Sequence, residues 1–419
     1  MLAIISFIFH KFAVTNLCNV RCRNVEAGGL NETLLLHIEE MNDLRRRDYG
    51  NDDSLLSQTI TFLRFPLTAA VVLIHSTFDR VIVNGVTLVD VGNHPVYTFV
   101  KTLFADGFAH VAVPTFFFIS GFLFFYRKEF SLQTYKDKLA GRFTSLFIPY
   151  VFWNVVVILL RVLTQMLLPE MTSGGKKMFA DYGPSDWLKC FWTFEDMDMP
   201  VCYPFWFIRN LMVMVVLSPL IYFLVKRLGL LFPAVVCILW ITGLAEGGTG
   251  PWAADGLMFF SFGAYYSVFG KNFVTEFRRI PLKAAVAAYL VLVALRMYLV
   301  VTDCDWAVTV HEISVVVGVV TVIRVTSRLL ENGKAHTAGL LASGAFFIYA
   351  YHCMPVMLFT KLWAKFVPVS DAAMIAGMFV IATALILLGL VLYRCCERFF
   401  PAVTIIITGG HGYKTDNKQ

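Results

Sequence analysis

From about Ile60 to Arg394 the sequence is a succession of long apolar runs separated by short polar loops. A helix needs about 20 predominantly apolar residues to cross a bilayer's hydrocarbon. Ten segments meet or approach that length, centred on 60–78, 108–126, 143–168, 205–225, 229–245, 252–269, 281–302, 306–325, 339–362 and 373–394. The expected fold is therefore all-α: a polytopic membrane protein with about ten transmembrane helices. The chain is 58% hydrophobic and 15% charged, against about 25% charged in a soluble domain. It has too little polar surface to cover itself in water. The net charge of +6 does not point to nucleic acid, because the basic residues are confined to alternate loops.

Those loops set an orientation. Arg45, Arg46 and Arg47 precede the first segment. Arg127, Lys128, Lys136, Lys138 and Arg142 come after the second. Further along come Lys226 and Arg227, then Lys271, Arg278, Arg279 and Lys283, then Arg328 and Lys334, and at the end Arg394, Arg398, Lys414 and Lys418. The intervening loops are acidic, with Asp79, Asp90 and Asp106, then Asp181, Asp186, Glu195, Asp196 and Asp198, then Glu246, then Asp303 and Asp305. The positive-inside rule puts the basic loops and both termini in the cytoplasm. The longest outer loop, 169–204, carries Trp187, Trp192, Phe194 and Tyr203 among its acids. Rings with carboxylates suit sugars, and equally suit an interfacial aromatic belt.

Residues 1–57 differ from the rest of the chain and are expected to be a cytoplasmic N-terminal leader. Its opening run MLAIISFIF is too short to span and lacks the basic start of a signal peptide. Met41, just before the basic run, is an alternative start. The membrane domain is expected over 58–400 and a cytoplasmic tail over 401–419. The nine Cys residues contain no C-x-x-C pair, so neither a zinc site nor a disulfide framework is expected. Cys190 and Cys202 would pair only on an oxidising side.

Within the first segment, Arg64 and His75 bracket the run RFPLTAAVVLIH, where Thr68 is the sole other polar side chain. Eleven positions are roughly 16 Å and about three turns of helix, so both side chains share one face at two depths. Pro66 is expected in the opening turn, where its missing N–H costs little. Snorkelling accounts equally well for a lone Arg at a helix end. The pair suits chemistry that begins at one membrane surface and ends near the other.

The Arg64-x10-His75 spacing resembles the first-helix signature of the acyltransferase-3 group of membrane acyltransferases. Further resemblances occur in order along the chain. They are Val113-Pro-Thr-Phe-Phe-Phe-Ile-Ser-Gly-Phe122, Arg142-Phe-Thr-Ser-Leu-Phe-Ile-Pro-Tyr150 with Asn154, Phe205-Trp-Phe-Ile-Arg-Asn210, Phe260-Ser-Phe-Gly-Ala264 and Phe346-Phe-Ile-Tyr-Ala-Tyr-His352. Together they cover roughly 58–400. Many members carry Arg-x-x-Arg before the third helix; here Arg142 matches the first position and Ser145 stands at the second. No hydrolase-like C-terminal domain is expected, unlike some members.

The resemblance implies transfer of an acyl group, usually acetyl, from cytoplasmic acetyl-CoA as co-substrate, with no permanently bound cofactor and no metal. The acceptor it implies is a hydroxyl of a cell-envelope polysaccharide or lipid-linked sugar, at a bacterial-type inner membrane. Arg64 and Arg142 would hold coenzyme A phosphates by charge-assisted hydrogen bonds, with Lys138 standing in for the missing arginine. His75 would take the proton of the acceptor hydroxyl near neutral pH, or carry the acyl group itself.

Four further residues are candidates for substrate binding. Ser120 beside Gly121 offers either close helix packing or acyl-chain contact. Arg209 offers snorkelling or a substrate contact. Glu312, beside His311, is an intramembrane carboxylate, and intramembrane Arg296 is its candidate partner. His352 lies at a depth comparable to His75. The alternative class is a transporter or flippase, which would carry inverted repeats and paired broken helices; the sequence displays neither.

Overall fold

The computed structural model describes residues 32–127, 129–169, 177–193, 199–337 and 339–410, with side chains from Asp52 onward except Arg80. Most of the expected leader, residues 1–31, and the tail residues 411–419 lie outside the described residues, as do Phe194, Glu195, Asp196 and Asp198 of the long loop. The chain forms two units, Met1–Asn51 and Asp52–Gln419; the second carries the candidate site.

Helix α1 (Glu32–His75) ends at the candidate histidine. It starts well before Arg64, so Pro66 lies inside the helix instead of in its opening turn. There it removes the bond to the Phe62 carbonyl. A hairpin comes next, β1 (Arg80–Val83) against β2 (Val86–Asp90), antiparallel. Its turn is Asn84-Gly85, both at positive φ (50° and 75°), the geometry of a type I′ turn. These are the only strands among the described residues.

Helix α2 (Pro95–Leu103) passes through a π turn (Phe104–Phe108) and a 3-10 turn (Ala109–Val111) into α3 (Ala112–Phe125), making one 31-residue span. Helix α4 (Leu132–Arg142) passes through a second π turn (Phe143–Phe147) into α5 (Ile148–Leu167). Short α6 (Pro184–Lys189) lies in the long loop. Then come α7 (Trp206–Val216), α8 (Ser218–Leu228), α9 (Leu231–Ile241), α10 (Ala254–Val268) and α11 (Phe273–Arg278). The chain closes with α12 (Leu282–Val301), α13 (Trp306–Glu331), α14 (Gly339–Tyr351), α15 (Cys353–Phe366), α16 (Asp371–Phe399) and α17 (Pro401–Ile407).

Among the described residues, six helices are long and apolar enough to span, or up to eight if each of two bent pairs is one span. The ten segments expected from the sequence include some that fold short. Helix α9, at 11 residues, is roughly 16 Å long, about half the hydrocarbon thickness. The bent pairs are α7 with α8, at 66°, and α14 with α15, at 67°. Paired broken helices are thus present, against the expectation from sequence. Each break precedes a proline, Pro219 or Pro355, that opens the second half. That proline leaves the carbonyl four residues back without its N–H partner.

Close packing of α3 against α10 relies on two glycines. A Cβ on Gly121 would strike the Phe260 backbone, and one on Gly263 the Phe118 carbonyl. Some of the loop charges pair with one another. Asp53 pairs with Arg127 at 2.5 Å, while Arg278 bridges Asp52 at 3.3 Å and Glu331 at 2.9 Å. These groups gather at the opening of the part of α1 whose side chains are described; Asp79, Lys101 and Asp106 gather at its His75 end.

Candidate functional site

The chain reverses just after His75. Ser76 donates its hydroxyl to the Val72 carbonyl at 2.8 Å, and Thr77 donates to the Ile74 carbonyl at 3.1 Å and to the Asp79 carboxylate at 3.1 Å. The Phe78 amide donates to the Tyr97 hydroxyl at 2.6 Å, and the Tyr97 amide to Asp371 at 2.7 Å. The end of α1 is therefore pinned to α2 and α16. Lys101 pairs with Asp79 and lies 3.6 Å from Asp106.

Two rings flank His75. His352 stacks on it with centroids 5.4 Å apart and planes 25° apart, and Tyr203 meets it edge-on at 4.8 Å. His352 occupies the break between α14 and α15 and is fully buried. Its Nδ1 lies 3.2 Å from the Ile348 carbonyl. A carbonyl only accepts, so the neutral ring carries its proton on Nδ1. The Nε2 lone pair is then buried and has no partner among the described residues.

A cleft of about 410 Å³ opens beside His75. Thr77, Asp79, Asp106, Thr360 and Lys361 supply its polar lining. Ile82 of the hairpin and Met357 of α15 supply apolar wall. One imidazole, carboxylates, hydroxyls and an ammonium within an otherwise apolar bundle suit a polyhydroxylated ligand, whose O–H groups need acceptors and donors once water is excluded. The sequence alone does not single out Asp79, Asp106, Thr360 or Lys361 for this role. Residues 79–106 read there as a loop whose carboxylates serve only to fix orientation.

The other expected site residues are dispersed. Arg64 and Arg142 are half-buried, and among the described residues neither side chain has a hydrogen bond or ion pair. Neither lines the His75 cleft. Lys138 donates to the Phe124 carbonyl and lies 5.0 Å from the Phe124 ring centroid, at the end of α3. Position 145 is packed by the C-terminal turn. A Cβ at Gly409 would meet the Ser145 backbone, and Trp153 donates to the Ile407 carbonyl at 3.0 Å.

Ser120 is half-buried beside the Gly121 crossing. Arg209 is 1% exposed and donates to the Thr193 and Thr249 carbonyls and to Asn210, clasping two loops. Glu312 lies on α13 within electrostatic reach of Asp255 and Cys237, away from the cleft lining. Arg296 does not pair with it; its guanidinium donates to the Asp106 carbonyl at 2.6 Å. Cys190 and Cys202 are separate buried thiols, and Cys202 faces Cys353 instead.

The acyltransferase-3 sequence pattern, described as an acyltransferase domain, matches residues 58–394. The chain belongs to the acyltransferase-3 family. As a member it is a multi-pass membrane protein and an acyltransferase for groups other than aminoacyl. It is also similar to the succinoglycan biosynthesis protein ExoH of Rhizobium meliloti (strain 1021), at 23% identity over 323 residues, covering 75% of this chain and 82% of that relative. No solved structure matches. The acyltransferase-3 match begins within α1 and ends within α16, so it takes in both His75 and His352.

Proposed function

We propose that this acyltransferase-3 member moves an acyl group, acetyl in the simplest case, from cytoplasmic acyl-CoA to a hydroxyl of a cell-envelope polysaccharide or lipid-linked sugar. The proposed setting is the inner membrane of a bacterial-type cell, with ten crossings counting the short and bent helices, and both termini cytoplasmic. The observation that carries the reading is the polar cleft with His75 in its wall and His352 stacked on that ring from behind. The relative's named role, succinoglycan biosynthesis, supports a glycan acceptor.

In this reading a sugar hydroxyl sits in the cleft and gives its proton to His75 as its oxygen attacks the acyl carbonyl. The C–O bond forms, the C–S bond breaks, and the departing thiolate receives the proton from His75. General-base assistance of this kind contributes about 10²–10⁴-fold. His352 and Tyr203 hold the His75 ring. Asp79 and Asp106 accept neighbouring sugar hydroxyls, and Lys361 donates to a ring or glycosidic oxygen. Arg64 and Arg142, cations without a protein partner among the described residues, meet the phosphates of coenzyme A. An acyl-His75 relay uses the same residues in two steps.

The test supplies radiolabelled acetyl-CoA to the cytoplasmic face of inverted membrane vesicles, for wild type and His75→Ala. Label on a glycan or lipid-linked sugar in wild type alone is expected. The two broken helices favour a second reading, in which the bundle moves a glycan substrate across the membrane. Failure to label with acetyl-, succinyl- and long-chain acyl-CoA, alongside glycan translocation in the same vesicles, would turn the assignment to that reading.

A further inference from the structure

Arg161 lies on α5, within an apolar stretch, and no motif in the sequence marks it. An intramembrane arginine is costly unless it snorkels to a headgroup or meets a partner inside. This one turns inward. Its Nη2 is 3.9 Å from the sulfur of Met357, the residue that forms apolar wall of the His75 cleft. Its charge reaches Tyr203, Cys202 and Cys353. Tyr203 is the ring that meets His75 edge-on, and Cys353 is next in sequence to His352.

Three features single this guanidinium out. Among the described residues it forms no ion pair, and the thioether it meets is at best a weak acceptor. Its Nε is buried and lacks a hydrogen-bond partner among the described residues. The other cations near the cleft are engaged: Lys101 with Asp79 and Asp106, Arg296 with the Asp106 carbonyl, and Lys361 with a partner of its own. Arg161 is therefore a charge just behind this wall, next to Met357, with a buried donor, Nε, that lacks an acceptor among the described residues. A buried donor left unsatisfied costs free energy that a bound anionic oxygen would recover.

Acyl transfer supplies such an oxygen. When the hydroxyl attacks the thioester carbonyl, the π electrons move onto oxygen and leave a full negative charge there until the C–S bond breaks. Donors aimed at that charge in a water-poor site lower the barrier more than any other single device. A phosphate or carboxylate on the acceptor presents the same chemistry earlier, in the bound substrate. We infer that Arg161 is a substrate-side residue of this site, binding an anionic oxygen that enters from the His75 cleft by displacing the flexible Met357 thioether. The inference rests on the proposed role of His75.

The experiment compares wild type, Arg161→Met, Arg161→Lys and His75→Ala in detergent-solubilised full-length protein. The donor is whichever of acetyl- or succinyl-CoA labels wild type, and the acceptor is total lipid-linked glycan extracted from the host membranes. Arg161→Met, which keeps the apolar stem, is expected to lose tenfold or more of activity while its unfolding temperature stays within a few degrees of wild type. Arg161→Lys and added guanidinium should each restore part of the loss. A fall in turnover at saturating acceptor assigns the charge to the reacting oxygen; a shift in half-saturating acceptor assigns it to an anionic group on the glycan. Unimpaired Arg161→Met beside inactive His75→Ala overturns the Arg161 assignment alone. So does a loss of activity that only tracks a loss of folded protein. Full activity in His75→Ala instead removes the His75 reading, whatever Arg161 does.

Discussion

His352 stacks on His75 at 5.4 Å from the 67° bend between α14 and α15. The two rings come from opposite ends of the sequence, one closing α1 and the other joining α14 to α15. Their roles separate by substitution. Removing the ring that takes the proton forfeits the whole general-base contribution, so His75→Ala is expected to lose at least about 10²-fold in turnover. His352→Ala removes a neighbour that orients the first ring. Its expected loss is nearer tenfold, the scale of one hydrogen bond or packing contact. Turnover measured on both variants, with expression and monodispersity matched, checks the order; equal losses would contradict the division of roles.

The acceptor side is tested at Asp106, which lines the cleft and faces Lys101. Asp106→Asn keeps the shape and one acceptor oxygen but removes the charge. Because the Asp106 contact to Arg296 is through its backbone carbonyl, that tie survives the substitution. The expected result is a several-fold rise in half-saturating acceptor with donor saturation unchanged, read from initial rates with either substrate varied.

How much of the fold is legible in the sequence depends on the range over which each signal acts. The register of Arg64 and His75 is read from the 3.6-residue period alone, and helix α1 runs without a break from one to the other. The hairpin is equally local, since Asn84-Gly85 between β-branched residues is a strong short-range turn signal. Counting apolar runs as spans passes over it. Pro219 and Pro355 mark the breaks, but a proline in an apolar run reads as tolerated until its freed carbonyl is placed. Arg209 and Arg161 show the limit. Both are arginines in apolar segments, and nothing local says that one clasps the Thr193 and Thr249 loops while the other faces Met357.

Arg209 is accordingly expected to matter for folding. Arg209→Met would take one donor from the Thr193 carbonyl and one from the Thr249 carbonyl, which Asn210 still reaches at 3.3 Å, so the expected cost is about 1–3 kcal/mol in all. The unfolding temperature should fall markedly, while turnover per folded molecule at low temperature stays near wild type. A normal unfolding temperature with lost turnover would make Arg209 a substrate contact instead.

The α3–α10 crossing makes a sharper structural prediction. Gly263→Ala drives a methyl into the Phe118 carbonyl, and backbone cannot swing aside as a side chain can. Overpacking costs about 1–3 kcal/mol where neighbours can adjust, so the expected effect is at the upper end of that range, seen as reduced yield and earlier thermal unfolding. Gly85→Ala, at a hairpin tip with open space around it, strains only its own positive φ and should be milder.

The long loop supplies a test by pH. Lys177 at 2.7 Å and the Gly183 amide at 2.8 Å hold the Asp186 carboxyl below its ordinary value. A depressed carboxyl contributes stability that is fully present above its unfolded pKa and is lost as pH falls through the folded one. The loop should therefore be indifferent to pH from neutral down to about pH 5, and should loosen only in acid below the ordinary aspartate value of about 3.9. Hydrogen exchange at the Gly183 amide, corrected for the intrinsic pH dependence of exchange, reads this directly. Asp186→Asn should lose that acid transition.

The donor side is tested at the two arginines without a protein partner. Arg64 and Arg142 are half-buried and make no side-chain hydrogen bond or ion pair among the described residues, so neither substitution breaks a polar contact within the described protein. If each meets a phosphate of coenzyme A, Arg64→Ala and Arg142→Ala should raise half-saturating acyl-CoA by roughly tenfold each, the scale of one charge-assisted hydrogen bond. Lysine should restore only part, because it offers a point charge where arginine offers a planar fork. Half-saturating acceptor should not move. The discriminating measurement is a donor series from acyl-CoA to acyl-pantetheine, which lacks the nucleotide phosphates. Wild type should discriminate strongly between the two, and the alanine variants weakly. Equal discrimination in wild type and variants would mean that these cations face lipid headgroups and not the donor.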